Sequence, residues 1–402
     1  MTTTESDLSR ASDFPLLVSV DDHVMEPPRL WLDKVPARYA ERVPHIVRER
    51  VPSVINPGTE KWADVWYYGN DRVENHRGVA SVGFDADELD TEPMTFDEMR
   101  PGCYDVPERL ADMDIDGVEA SICFPNTFVR FCGQRFLEAP DKEVALMCVR
   151  AYNDWLVEDW CGPSDGRLLG AGIIPLWDAG LAAEEIRRNA PRGLTSVCFS
   201  EIPVRLGLPS MYSGYWDPFF EACADTGTVI NLHIGSSSVI HTTSADAPLG
   251  IRISNHFGNC AFSLSDWLMS GAFVRFPKLK VAFSEGQAGW IPYLMSRLDG
   301  LWTKGSPLLG FGGIPELPSS YLPDHVYACV FDDPVGMQLL AQIGENNVCW
   351  ETDYPHNDST WPKSAEVASH LTESLSPESR EKVLRLNAAR LYNVSRVLAP
   401  VA

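Results

Sequence analysis

The chain has 402 residues, 45% hydrophobic and 22% charged, which is the composition of a globular protein with room for one large domain or two ordinary ones. A formal net charge of -23 argues against nucleic acid, which requires a basic face, and against an anionic membrane surface. No apolar run is long enough for a transmembrane helix, and the N-terminal MTTTESDLSRASDF lacks the basic and apolar regions of a signal peptide. The ten cysteines form no CxxC pair, and several sit in apolar runs such as Ile122-Cys123-Phe124. They read as small buried hydrophobes in a reducing, cytoplasmic compartment.

Residues 1–14 read as a disordered polar tail and 15–402 as a single domain. The run Leu16-Leu17-Val18-Ser19-Val20 reads as a buried strand that breaks into Asp21-Asp22-His23-Val24-Met25-Glu26-Pro27. Strand side chains alternate, so Asp21 and His23 share one face and Asp22 points to the other. A carboxylate and an imidazole at this spacing suit a divalent transition metal. The same residues also suit a polar strand end with an N-capping aspartate. Segment 28–105 is long, irregular and rich in Pro, Gly, Trp and Tyr. It reads as an insertion capping the active-site face of the core, because loops of this length are usually functional.

From Val106 the rhythm becomes regular. Strands near 118, 169, 195, 229, 279, 326 and 348 join the one near 16. Helices are predicted over 106–113, 141–160, 178–189, 215–225, 255–270, 288–299, 334–343, 363–373 and 376–396. Short apolar strands alternating with helices mean a parallel sheet covered on both faces. Eight strands favour a closed (β/α)8 barrel over a doubly wound sheet, and no Gly-rich phosphate loop follows the first strand.

In such a barrel the active site lies at the C-terminal ends of the strands. Strand one ends in Asp21, His23 and Glu26, the strand near 229 in His233, and the strand near 279 in Glu285. The last strand ends in Glu351-Thr352-Asp353-Tyr354-Pro355-His356. Two histidines and two aspartates supply nitrogen and oxygen donors to a metal that can lower the pKa of bound water to roughly 7. Asp353 is placed both to ligate and to shuttle protons. Glu351 is expected to point with Asp353, one layer deeper, without a functional role.

DDHVMEP, NLHIG, FPKLKVAFSEGQAGWIPYLMSRLD and WETDYPHNDSTWP occur in this order, with RPGCYDVPERLADMDIDGVEASICFP before strand two and RLNAARLYNV near the C-terminus. Together they resemble the amidohydrolase-related family. This is the branch of the amidohydrolase superfamily that includes aminocarboxymuconate-semialdehyde decarboxylase and the resorcylate-type decarboxylases. The likeness spans about residues 16–396. It implies a distorted TIM barrel, a homodimer, and one divalent metal ion (Zn, Fe or Mn) held by Asp21, His23, His233 and Asp353. Glu26 matches the EP that follows the first ligands in relatives, which implies a hydrogen bond to substrate or to a group behind the ligands. His356 is expected in a similar role at the barrel mouth. The sequence departs from the family pattern twice: Asp21 stands where many relatives have histidine, and Glu285 stands at the place of the strand-six histidine. A buried glutamate with a raised pKa can still move protons, or can bind a second metal. His256, which opens the helix after strand five, is the replacement imidazole, a second-metal ligand beside Glu285, or a helix-start histidine bonded to backbone. His45, His76, His241, His325 and His370 read as surface or loop residues.

Trp62, Trp66, Tyr67, Tyr68, Trp216, Trp290 and Trp361 suggest an apolar pocket beside the metal, hence a small, largely organic substrate. The first expectation is a hydrolase in which metal-activated water attacks an ester, thioester, amide or lactone. Asp353 would take the proton, and Glu285 or His256 would aid the leaving group. The alternative is a non-oxidative decarboxylase of an aromatic or enoic acid. A third possibility is a barrel without catalysis, used for binding or assembly.

Overall fold

β1 (Leu17–Val24) is buried along its whole length, as a strand covered on both faces must be. The computed structural model of the protein describes residues 14–239 and 242–398; the expected tail over 1–13 and His241 lie outside the described residues. After β1, the insertion forms an antiparallel meander of β2 (His45–Pro52), β3 (Glu60–Tyr68) and β4 (Asp71–Glu74). This corrects the expectation of an irregular segment. The short polar and aromatic alternation around Trp62 to Tyr68 is a strand period, and β2, with its charged residues, hides its own. Gly69, with φ of 59°, supplies the left-handed residue of the two-residue turn between β3 and β4.

The barrel continues with β5 (Val118–Pro125), β6 (Leu168–Gly172), β7 (Ser196–Cys198) and β8 (Val229–His233). It ends with β9 (Val281–Ser284), β10 (Val326–Val330) and β11 (Val348–Trp350). β1 and β5–β11 pair in chain order, all parallel. The Asp353 N–H donates to the Asp21 carbonyl at 2.9 Å, across the seam between β11 and β1. These are the eight strands marked by the sequence rhythm, so the chain folds as a distorted (β/α)8 barrel.

The surrounding layer packs closely on the strands: a methyl group at Gly170 or Gly172 of β6 would come within 2.5 Å of the side chain of Leu156, in the helical turn Leu156–Cys161, or of Leu194, which leads into β7. The insertion is tied to the same rim as the strand ends. Trp66, fully buried, stacks on Phe128 at 4.8 Å and meets Trp31 edge-on, and the Ser81 N–H donates to the Pro355 carbonyl at 2.7 Å. Trp62, by contrast, is 53% exposed. His325, expected at the surface, is buried: its Nδ1 contacts the Leu279 carbonyl at 2.7 Å and its ring stacks on Phe273. Nine of the ten cysteines are buried. Among the described residues no helix is long and apolar enough to cross a membrane.

Candidate metal centre

The centre begins with an irregularity in β1. Ser19 pairs with Ser121 and Asp22 with Cys123, so β1 carries one extra residue there, a bulge at the active-site end. Beyond it Asp22 turns away from the barrel axis and accepts hydrogen bonds from the hydroxyls of Ser19, Ser121 and Thr352 and from the Tyr354 N–H. Arg109, wholly buried, donates to the His23 carbonyl at 2.5 Å and to the Gly102 carbonyl at 2.7 Å, over the Tyr354 ring. This buried network holds the ends of β1 and β11 together.

Asp21 and His23 face inward, where they meet His233 from β8 and Asp353 from beyond β11. His23 Nδ1 contacts the Pro125 carbonyl at 3.0 Å and His233 Nδ1 contacts the Ile234 carbonyl at 2.6 Å. When both Nδ1 atoms donate, both Nε2 atoms carry lone pairs, and these face each other at 3.2 Å. Asp21 places its oxygens 3.6 Å from His23 Nε2 and 3.4 Å from His233 Nε2; Asp353 Oδ1 is 3.3 Å from His23 Nε2. Both carboxylates are fully buried, with the Ser284 hydroxyl beside Asp21 and His356 Nδ1 at 3.1 Å from Asp353 as the nearest donors outside the centre. Buried acceptors converging on one point with no donor between them are satisfied by a cation. The residues therefore fit a divalent metal ion.

Electrostatics agree. Burial holds the His233 imidazole down at about 3 and His23 well below its ordinary value, so both are neutral, as ligation requires. Burial pushes the Asp21 and Asp353 carboxyls well up, reinforced by Glu351 at Asp21 and by Glu285 at Asp353. A bound cation reverses that cost.

Around this centre the remaining expected residues separate. His356 Nδ1 lies 3.1 Å from Asp353 Oδ1, and its ring stacks on His23 at 3.8 Å. Glu285, at the end of β9, is held in a left-handed conformation (φ 56°) and reaches to 3.6 Å from His233 Nε2. Its carboxyl is pushed well up by burial, then by Asp358 and Glu351. Asp353 is also left-handed (φ 51°), and such strained residues gather at functional sites. Glu285, Asp353 and Asp358 each offer an oxygen within 4.8 Å of the others. Glu26 lies apart: it is fully buried, accepts from the Asn126 N–H at 3.0 Å, and is pushed up to about 7 by burial. His256 lines a cavity of about 650 Å³ together with Glu285, and among the described residues it joins no metal-binding group.

Three participants escape the sequence. Glu351, given no role, is fully buried; its Oε2 accepts the Glu285 N–H at 3.1 Å, and burial pushes it up to about 8. Asp358 returns to the centre through the loop after β11, which no periodicity reveals. Phe131 stacks on His233 at 4.0 Å from the loop after β5. Of the expected aromatic roof, Trp290 is in place. The cavity over Glu285 is lined by Phe257, Trp290 and Phe331, and not by 28–105. Residues of the insertion from Ser81 to Leu89 line a separate cavity of about 320 Å³ that reaches His356.

A buried His/Asp cluster at the C-terminal rim of a (β/α)8 barrel defines a metal-dependent barrel enzyme. The amidohydrolase family model matches residues 45–394, and the chain belongs to that family. The match begins after β1, so Asp21 and His23 precede it. The gamma-resorcylate decarboxylase of Rhodococcus jostii (strain RHA1) is 23% identical over 331 residues, 75% of this chain and 92% of that protein. An amidohydrolase structure from Mycobacterium avium subsp. paratuberculosis K-10 superposes with a TM-score of 0.72 at 22% identity, covering 94% of this chain and 99% of that one. A dihydroxybenzoic acid decarboxylase from Polaromonas sp. JS666, with bound manganese and the inhibitor 2-nitroresorcinol, gives 0.61 at 18% identity, covering 96% and 99%. This chain shares its fold with the two solved structures, and its own His/Asp cluster fits a divalent metal.

Proposed function

We propose that the protein is a divalent-metal-dependent, non-oxidative decarboxylase of an aromatic or enoic carboxylic acid. The observation that carries this is the similarity to the Rhodococcus decarboxylase over 92% of that protein's length. Residues 15–402 are taken as one barrel domain, with 28–105 capping its rim. A metal ion held by Asp21, His23, His233 and Asp353 would bind oxygens of the substrate and draw electron density from the bond to be broken.

The chain's own residues supply orientation and the proton. The bond between the substrate carbon and its carboxylate breaks, CO2 departs, and the electron pair stays on the carbon. Glu285 gives that carbon a proton and is reprotonated from the cavity. Burial, Asp358 and Glu351 favour its protonated form, and Glu351 fixes its backbone. His356 holds Asp353, and its ring stacks on His23, which restrains both. One observation favours hydrolysis as a second reading: a glutamate occupies the strand-six position where relatives carry histidine.

The test is to incubate manganese-loaded protein in D2O with a panel of hydroxybenzoic and enoic acids. Release of CO2 with deuterium at the vacated carbon is expected. Hydrolysis of esters, amides or lactones, with no CO2 from any acid, would overturn the proposal.

A further inference from the structure

Behind each imidazole of the metal centre stands a buried glutamate, one peptide group away. His23 Nδ1 hydrogen-bonds the Pro125 carbonyl at 3.0 Å, and the N–H of the same peptide group, that of Asn126, donates to Glu26 Oε1 at 3.0 Å. His233 Nδ1 hydrogen-bonds the Ile234 carbonyl at 2.6 Å, and the N–H of that peptide group, that of Gly235, donates to Glu201 Oε1 at 3.1 Å. Glu26 is fully buried and Glu201 is 2% exposed, and among the described residues neither joins a metal-binding group. We propose that Glu26 and Glu201 are paired positioning residues, each fixing and polarising one metal-binding imidazole through the peptide group between them. The proposal concerns the metal centre and does not rest on the decarboxylase reading.

A trans peptide group is planar, with its C=O and N–H pointing in opposite directions, so a carboxylate on one side acts on an imidazole on the other through two hydrogen bonds. The directions of both bonds are fixed. The peptide N–H donates to the carboxylate, and its carbonyl, which only accepts, receives the Nδ1 proton and leaves Nε2 free for the metal. Bonds in such a chain strengthen one another at low dielectric, and negative charge behind an imidazole raises its basicity toward a cation. The two devices are assembled from different parts of the barrel. Glu26 follows β1, and the peptide it holds closes β5. Glu201 follows β7, and its peptide comes directly after His233 at the end of β8. Glu201 Oε1 also accepts from the Ser237 hydroxyl at 2.7 Å and the Asn259 amide at 2.9 Å, which ties the turn after His233 to the next long helix. Burial and hydrogen bonds, not a lysine or arginine, dominate the surroundings of both carboxyls, so an ion pair does not account for burying two acids here.

The test titrates metal-free protein with Mn²⁺ by isothermal titration calorimetry at about pH 8, above the value of about 7 to which burial pushes Glu26. Glu26→Ala and Glu201→Ala are each expected to bind Mn²⁺ about 10–100-fold more weakly. Glu26→Gln and Glu201→Gln, which keep an acceptor oxygen, should recover most of that loss. Thermal unfolding of the metal-free variants separates a merely structural role: alanine variants that melt earlier yet bind Mn²⁺ like the unaltered protein would overturn the proposal. Proton NMR of the Co²⁺-loaded protein keeps the test decisive if an alanine variant misfolds. There each ligating imidazole gives a shifted, exchangeable Nδ1–H signal. Glu26→Gln should move that of His23 and Glu201→Gln that of His233, because each removes the charge behind one ring. Signals that stay in place, or that both move equally in either variant, would sink the pairing. No substrate enters these measurements, so an absence of decarboxylation leaves the proposal standing, whereas an unaltered protein that binds neither Mn²⁺ nor Co²⁺ would remove it.

Discussion

Each imidazole of the centre contacts a main-chain carbonyl through Nδ1, which leaves Nε2 to face Asp21 and its partner histidine. Removing a ligand should therefore cost metal affinity directly. His233→Ala and Asp353→Ala are expected to lose more than the roughly 10–100-fold that loss of a supporting group costs. Metal content by mass spectrometry checks this, and normal occupancy in either variant would disprove the assignment. Glu285→Gln should keep the metal but slow proton delivery by about 10²–10⁴-fold; loss of metal instead would make Glu285 a ligand. Glu26 offers a separate test. Its carboxyl is pushed up from 4.5 to about 7 by burial, so the folded chain binds that proton more tightly than the unfolded chain. Its stabilisation is full below pH 4.5 and lost as pH rises through 7, a fall of about 3 kcal/mol. Glu26→Gln keeps an acceptor for the Asn126 N–H and should remove that fall. Urea unfolding of both proteins at about pH 5 and pH 8 measures it, and equal losses in the two would refute it.

At the scale of elements, the eight barrel strands were legible because each is a short apolar run bounded by turn residues, buried on both faces. The insertion was not, since a half-exposed antiparallel strand spreads its apolar residues among charged ones and its pairing partner is distant in sequence. Asp21 and His23 could be paired from the alternation of β1. Asp22, pointing the other way, followed from the same alternation; the bulge between Ser19 and Asp22 did not, because it depends on how β1 meets β5. Close packing on β6 gives an elemental prediction. Gly170→Ala should destabilise the barrel by about 1–3 kcal/mol, read from denaturant midpoints, because Leu156 occupies the space of the added methyl group. An unchanged midpoint would mean that the helix on β6 can move away.

For the whole molecule, the metal and the fold are linked. In the metal-free chain the raised carboxyls of Asp21, Glu285 and Asp353 stabilise below their ordinary range and lose that contribution as pH rises. The depressed histidines act oppositely: His233 and His356 lose theirs as pH falls from 6.5 toward about 3 and about 4. Because a metal favours ionised carboxylates and neutral imidazoles, chelation should lower the melting temperature more at pH 8 than at pH 6, and added Mn²⁺ should restore it. Scanning calorimetry tests this, and a pH-independent difference would contradict it. By itself the sequence determined the barrel class, the strand ends that carry Asp21, His23, His233, Glu285 and Asp353, and the likeness to decarboxylases. These follow from local periodicity and from residue types at strand ends. Only the tertiary structure decided that Glu351 holds Glu285, that Asp358 and Phe131 reach the centre, that Glu26 stands apart, and which rings line the cavity. Those contacts join residues far apart in sequence, through loops whose paths no local pattern encodes.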